Sequence, residues 1–206
     1  MKLNENVKIV AKKCILVPYE PEHVEKYHKW MEDEEIRRLT GSERLSLEEE
    51  YEMQKSWRED EDKLTFIVLS KEDGEETSRM LGDVNLFISS EPLESSEDSE
   101  DVEKLEDVGE VEIMIAEASG RGKGIGEEAV SLIISWAMKN LSISKFRVKI
   151  TDDNIPSLKL FEKKLGFSRI GYSTAFKEYT LELDQNRMEN YFLKFLNENA
   201  QICEYH

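Results

Sequence analysis

The sequence predicts a mixed α/β (α+β) domain: a mostly antiparallel sheet of six to seven strands with flanking helices. Three observations carry this. Short runs rich in β-branched and aromatic residues recur with turn residues between them. A β-α-β-α portion in the middle of the chain requires parallel strands. The runs on either side of it read as hairpins, which requires antiparallel ones.

The elements follow in order. "KIVAKKCILVPY" reads as a first strand ending near Pro18. In "EPEHVEKYHKWMEDEEIRRL", Val24, Tyr27, His28, Met31 and Ile36 recur at helical spacing, so one helix is expected. "SLEEEYEMQKSWRED" opens on Ser46 with Glu49 three residues on. That is a capping box, each side chain satisfying an open backbone amide, and it predicts a second helix to about Arg58. "KLTFIVLS" and "RMLGDVNLFIS" read as strands joined by "KEDGEETS".

The composition then changes. Ser89 to Gly109 holds nine acidic residues, five serines, one proline and one lysine, a net charge of −8. Such a stretch buries too little apolar surface to offset its ordering entropy, so a disordered insertion is expected over 89–109. Ser95 precedes Asp98 by three, a spacing that suits acidophilic kinases. "GEVEIMIAEA" resumes as a strand. "GIGEEAVSLIISWAMKN" places Ile125, Ala129, Ile133 and Trp136 on one helical face. "SKFRVKITD" is the next strand, and "IPSLKLFEKKLG" a helix with Gly166 as its C-cap. "FSRIGYS" and "TAFKEYTLELD" form a last hairpin. The domain is thus expected over 1–183, with 184–206 as a tail holding a short helix.

Composition narrows the function. Of 206 residues, 39% are hydrophobic and 35% charged, enough for a core under a very polar surface; the net charge is −17. That charge argues against sequence-independent nucleic-acid binding and against docking on an anionic membrane. Cys14 and Cys203 lie too far apart in sequence for a metal motif, and His23, His28 and His206 form no HExxH, so no metal site is expected. The N-terminus lacks the apolar core of a signal peptide, and "LIISWAM" is too short to span a bilayer. These point to the cytoplasm, or also the nucleus, as the setting.

The chemistry concentrates in "AEASGRGKGIGEEAV". A glycine-rich turn between strand and helix aims several backbone N–H groups at one point, and the helix dipole adds positive charge there. Arg121 and Lys123 add mobile cations. The stretch therefore reads as a phosphate or pyrophosphate cradle, the alternative being a plain tight turn. A Walker loop fails, because Gly124 stands where Ser or Thr is needed. A dinucleotide fingerprint is matched on paper by Gly124, Gly126 and Ala129, but the chain lacks room for a second βαβαβ half.

"RGKGIG" has the form R-x-x-G-x-G, and "TDDNIPSLKLFEKKLGF" supplies Asn154, Ser157, Leu160, Phe161, Gly166 and Phe167 in an N-x-x-[SA]-x-x-[LF][FY] pattern closing on G-F. Together they resemble the acyl-coenzyme A loop and the later motif of the GCN5-related N-acetyltransferase (GNAT) superfamily. "KKCILVPYEPEHVEKYHKWM", "LGDVNLF" and "EIMIAE" further resemble its eukaryotic N-acetyltransferase 9 subfamily.

The resemblance implies acetyl-CoA as cofactor, pantetheine lying between two splayed parallel strands, here 110–117 and 145–151, and direct attack of an amine on the thioester. Backbone groups of Ile113, Met114 and Ile115 are then expected on the pantetheine. Amides of Arg121, Gly122, Lys123, Gly124, Ile125 and Gly126 are expected on the pyrophosphate. Asn154 joins the cofactor arm, with Ser157 and Phe161 beside it; Asn154 is equally a helix cap. Glu112 occupies the strand position of a catalytic glutamate, and the apolar Ile113 and Ile115 beside it favour a raised pKa. Phe161 stands where the family often has a tyrosine acid, and a phenyl ring donates no proton; Tyr172 is a weak substitute. Glu127 and Glu128 are expected to face solvent, and Asp83 and Asn85 to face the acceptor cleft. The three tryptophans are expected in the core. The implied acceptor is a protein or peptide amine, with tubulin suggested by the subfamily. A small amine such as a polyamine, or a cofactor-binding module with little turnover, remains open.

Overall fold

Two strands come out of the first apolar run rather than one. In the computed structural model, which describes residues 2–92 and 105–206, β1 (Val7–Val10) and β2 (Ile15–Pro18) form a hairpin. Lys12 and Lys13 interrupt the run, and the Ala11 amide closes the turn on the Cys14 carbonyl at 3.0 Å. The first expected helix is likewise two: α1 (Val24–Met31) and α2 (Glu34–Thr40). Asp33 divides them by accepting the amides of Glu35 and Ile36, which caps α2. α3 (Leu47–Glu59) starts on the expected capping box: Ser46 Oγ accepts from the Glu49 amide, and the Glu49 carboxylate accepts from the Ser46 amide.

β3 (Lys63–Leu69), the short α4 (Glu76–Arg79), β4 (Met80–Pro92) and β5 (Leu105–Ile115) follow. The insertion expected over 89–109 is therefore narrower at both ends. Ser89 to Pro92 pair with Leu105 to Val108 across the β4–β5 ladder. The acids there find cations from a later strand, Glu91 on Arg147 and Glu106 on Lys145, which a local charge count misses. The rest of the expected insertion, 93–104, and Ser95 with it, lies outside the described residues.

The second half contains α5 (Ile125–Asn140), β6 (Ile143–Thr151), α6 (Ile155–Lys159) continuing as a π-helical turn Leu160–Leu165, β7 (Phe167–Ser173) and β8 (Glu178–Leu183). Gly166 ends the helix in the left-handed region at φ 83°, as its place in the sequence predicts. The tail is not separate from the domain. α7 (Gln185–Arg187), a π turn and α8 (Leu193–Asn199) put Met188, Phe192 and Leu196 into the core, and β9 (Gln201–Glu204) adds a strand to β1. The fold unit thus extends past 183, because β1 would otherwise leave an open edge.

Among the described residues the sheet has nine strands in the order β7-β8-β6-β5-β4-β3-β2-β1-β9, with β5–β6 as the parallel pair. Its count exceeds the expected six to seven by the split of the first run and by β9. Side chains alternate across it with period two. On one face Leu64, Phe66, Val84, Leu86 and Val111 pack under α5, where Ala129, Ile133 and Trp136 are buried and Trp136 meets Phe66 edge-on at 6.1 Å. Each such fully buried large side chain contributes about 1.5–3 kcal/mol. On the other face, Ile67, Met80 and Met114 pack with Tyr19, Tyr27 and Trp30 of the first helical region.

Candidate active site

The parallel ladder between β5 and β6 runs from Asp107↔Ile143 to Glu110↔Arg147 and stops. Beyond it Val111–Ile115 pair with β4, and Val148–Thr151 pair with β8, but the two strands do not pair with each other. Their facing backbone groups border a cleft of about 450 Å³. The cleft reaches from Asn154, Ser157 and Phe161 at one wall to Tyr27, Trp57 and Lys63 at the other. Of the expected site residues, Glu112, Ile113, Met114, Asn154, Ser157 and Phe161 line it.

The strand register explains the cleft floor. Thr65, Asn85 and Glu112 form one cross-strand row over β3, β4 and β5; Lys63, Phe87 and Glu110 form the next. Thr65 Oγ1 donates to Asn85 Oδ1 at 2.7 Å, and Asn85 Nδ2 donates to Asp83 Oδ2 at 2.6 Å. Asp83 Oδ1 is buried with no hydrogen-bond partner. Burial raises the Asp83 pKa to about 6, against the opposing pull of its bonds to Asn85 and Tyr27 and of the Lys63 charge. Glu112 opens to solvent inside the cleft, yet the surrounding protein pushes its carboxyl well up toward neutrality; Lys63 pulls it down and Asp83 and Glu110 push it up. Lys63 is only 2% exposed and its ammonium is pushed well down by burial, with Glu112 and Asp83 opposing. Glu110 is engaged by Lys149 at 2.7 Å.

Sequence reasoning missed Lys63. It opens a strand, where a lysine is ordinarily solvated, but Trp57 of α3 and Phe87 of β4 cover it. Trp57 packs, partly buried, against the core as expected, and it also lines the cleft. Asp83 and Asn85 do face it.

At the other end of β5, Gly122 and Gly124 both lie in the left-handed region, at φ 72° and 76°. Gly124 precedes α5, whose first-turn N–H groups have no intrahelical acceptors. Ile125 is buried at the helix start, and a β-carbon on Gly126 would lie in ordinary contact with Ile113, Ile115 and Leu160. The loop thus remains a cradle of backbone donors. Arg121 differs from the expectation. Its amide donates to the Ala118 carbonyl at 3.1 Å, and its guanidinium donates to the carbonyls of Ile115 and Ala116, both at 2.8 Å. It is a brace for the end of β5 rather than a mobile cation or an open amide. Glu128 is also corrected: it is 6% exposed, and Oε2 accepts the amides of Lys13 at 2.7 Å and Cys14 at 2.9 Å. A buried carboxylate at a helix start is satisfied by these donors and by the dipole.

Asn154 caps α6, its Oδ1 accepting the Ser157 amide at 3.2 Å. Phe161 is 1% exposed and meets Phe167 edge-on at 5.1 Å. Tyr172 is exposed, and its hydroxyl donates to Asp152 Oδ2 at 2.8 Å, outside the cleft lining. It does not replace the missing acid.

A splayed parallel pair, a left-handed glycine turn and a helix start at the end of the same strand define an acyl-coenzyme A-binding acetyltransferase fold. The family described as acetyltransferase (GNAT) domain matches residues 13–168, and the chain belongs to it. The N-acetyltransferase 9-like protein of Caenorhabditis briggsae is 75% identical over 205 residues, covering 100% of both chains. The alpha/beta-tubulin-N-acetyltransferase 9 of Mus musculus is 48% identical over 191 residues, 89% of this chain and 73% of that protein. This places the chain within the N-acetyltransferase 9 subfamily. Among solved structures, spermidine N-acetyltransferase from Vibrio cholerae, in complex with CoA and spermine, shares the fold at TM-score 0.64 and 16% identity, over 91% of this chain and 100% of that one. The protein is an N-acetyltransferase and its cofactor is acetyl-CoA. The unpaired β5 and β6 edges, and the left-handed Gly122 and Gly124 ahead of the α5 amides, fit that cofactor.

Proposed function

We propose that this enzyme acetylates an amine of a protein or peptide, with tubulin as the acceptor suggested by the names of its mouse, human and fly relatives. It works in the cytoplasm, and also in the nucleus, on or near microtubules. When bound, acetyl-CoA supplies an acetyl thioester. Backbone groups of Ile113, Met114 and Ile115 hold the pantetheine and polarise the acetyl carbonyl. The amides of Gly122, Lys123, Gly124, Ile125 and Gly126 hold the pyrophosphate, and Asn154, Ser157 and Phe161 wall the arm.

The observation that carries the reading is the pair of carboxylates, Glu112 and Asp83, on the cleft floor beside the strand splay. They attract an ammonium. Glu112, its pKa raised toward neutrality by burial, takes the ammonium's proton, and the free amine then attacks in a ternary complex. The N–C bond would form as the C–S bond breaks, with the nitrogen's second proton passing to solvent. With Phe161 in place of a donor, the departing thiolate takes its proton from solvent. Neither cysteine takes part: Cys14 is buried, and burial with Glu128 beside it pushes its thiol well up.

Thiol release and mass spectrometry with peptides that carry the tubulin N-termini or internal lysines, and with spermidine, test this. Acetyl transfer to a tubulin peptide is expected. Turnover with spermidine alone would replace the acceptor class, and no turnover with any amine despite cofactor binding would leave a binding module.

A further inference from the structure

The motif at the glycine turn offers two cationic side chains, and the structure removes one of them. Arg121 is spent on the carbonyls of Ile115 and Ala116. A different cation stands there instead. Lys13, more than a hundred residues earlier, lies on the β1–β2 turn, and its Nζ sits so close over Gly124 that a β-carbon at that position would collide with it. The remaining nearest atoms to that position are also Lys13 carbons, Cε at 3.5 Å and Cδ at 3.6 Å.

This placement is built rather than incidental. The buried Glu128 on the first turn of α5 accepts the backbone amides of Lys13 and Cys14, which pins the hairpin turn against the helix start. The Cys14 side chain and Ala11 are buried beneath it. Glu128 is satisfied by those amides and forms no ion pair with the Lys13 ammonium. Lys13 Nζ joins none of the ion pairs among the described residues, although the chain carries a large acidic excess. An ammonium beside the positive end of a sixteen-residue helix is repelled by that end. An anion lying between them would be attracted by both.

We infer that Lys13 is the side-chain cation that binds the cofactor's diphosphate at the glycine turn, Glu128 acting as the positioning residue that holds it there. Lys13 Nζ, over Gly124, supplies the charge-assisted bond that Arg121 does not. Gly124 is required for its left-handed φ, and a β-carbon there would meet only the flexible end of the Lys13 side chain.

Titration calorimetry of the full chain with CoA and with dephospho-CoA tests the inference. Lys13→Ala is expected to weaken both about tenfold at low salt, in the range of a lost hydrogen bond to a charged group. The loss shrinks as salt is raised from 50 to 500 mM, since a phosphate contact is screened. Lys13→Arg retains most of the affinity. The midpoint of thermal unfolding without ligand stays unchanged in Lys13→Ala, because the side chain is exposed and the Glu128 bonds are to backbone. Binding within twofold of the parent at low salt overturns the inference. So does a loss confined to CoA, which would move the contact to the 3′-phosphate, and so does a loss that salt does not alter.

Discussion

Lys63 Nζ lies 2.9 Å from the centroid of the Trp57 ring, with the Phe87 ring at 3.9 Å on β4. Two aromatic faces hold a buried cation here, a contact worth up to about 2 kcal/mol when desolvated. The same cation pulls the Glu112 carboxyl down while burial pushes it up. Glu112 must be ionised to accept a proton. Lys63→Met therefore raises the pKa of Glu112 further and moves the acidic limb of the rate–pH profile to higher pH, by roughly one unit or more. The measurement is kcat/KM from pH 5.5 to 9. A limb that stays in place would separate Lys63 from the base.

Glu112→Gln removes the base and keeps the shape. Loss of a general base lowers kcat by about 10²–10⁴. Because Glu112 stands in a β5 row with Asn85 and Thr65 rather than at the glycine turn, acetyl-CoA affinity should hold within a few-fold. Calorimetry beside thiol-release kinetics checks both halves. Unchanged turnover would remove Glu112 from the reaction.

Asp83 gives a stability prediction with a definite sign. Its folded pKa is raised from 3.8 to about 6, chiefly by burial, so the folded state binds a proton more tightly than the unfolded chain. The stabilising share is fully present below about pH 4 and is lost as pH rises through 6. Above that, the buried carboxylate destabilises the fold by at most about 3 kcal/mol. Asp83→Asn keeps an oxygen for the Asn85 amide. It should therefore be more stable than the parent at pH 8, by about 1–3 kcal/mol, and equal to it near pH 4. Urea unfolding at both values tests this; a less stable variant at pH 8 would mean that the bond network, not the charge, dominates. Stability given up at this position is consistent with a site residue kept for its chemistry.

These groups also mark where the sequence is legible. Local rules transfer directly: the Ser46–Glu49 box, the left-handed Gly166 and the Ile125, Ala129, Ile133, Trp136 face of α5 all stand as the spacing predicts. Glycine spacing and the Asn154 segment together were enough to indicate the cofactor class. What sequence does not display is long-range satisfaction of charge. Lys63 is buried because Trp57 of α3 and Phe87 of β4 cover it, and Glu128 is buried where the β1–β2 turn brings two amides to it. Glu91 and Glu106 looked like part of a solvated acidic run until β6 supplied Arg147 and Lys145. The tail reads as lying outside the domain because the open edge of β1, which β9 covers, is a property of the assembled sheet.

Glu128→Ala tests the anchoring of the hairpin turn. It leaves the amides of Lys13 and Cys14 without their acceptor and opens a small void beside the buried Cys14 thiol. Unsatisfied buried donors cost about 1–3 kcal/mol. The variant should lose that much stability in urea unfolding, and Glu128→Gln, which keeps one acceptor oxygen, should lose less. Equal stability of all three proteins would show that water replaces the carboxylate without penalty.

Gly82 tests the strand that carries the floor of the cleft. It pairs with Ile115, and a β-carbon there would overlap the Met114 carbonyl oxygen, with the Met114 carbonyl carbon at 2.8 Å and Ile115 Cα at 3.0 Å. These are backbone atoms, so no rotamer change relieves the clash and β4 and β5 must separate. Overpacking of this kind costs typically 1–3 kcal/mol and occasionally more. The displaced segment is the one whose far edge forms the unpaired side of the splay. Gly82→Ala should therefore lose acetyl-CoA affinity as well as stability, although residue 82 is absent from the cleft lining. Calorimetry at a temperature where the variant remains folded, monitored by circular dichroism, separates the two losses. Full affinity in a folded Gly82→Ala protein would show that the β5 edge is set by β6 and α5 rather than by its pairing with β4.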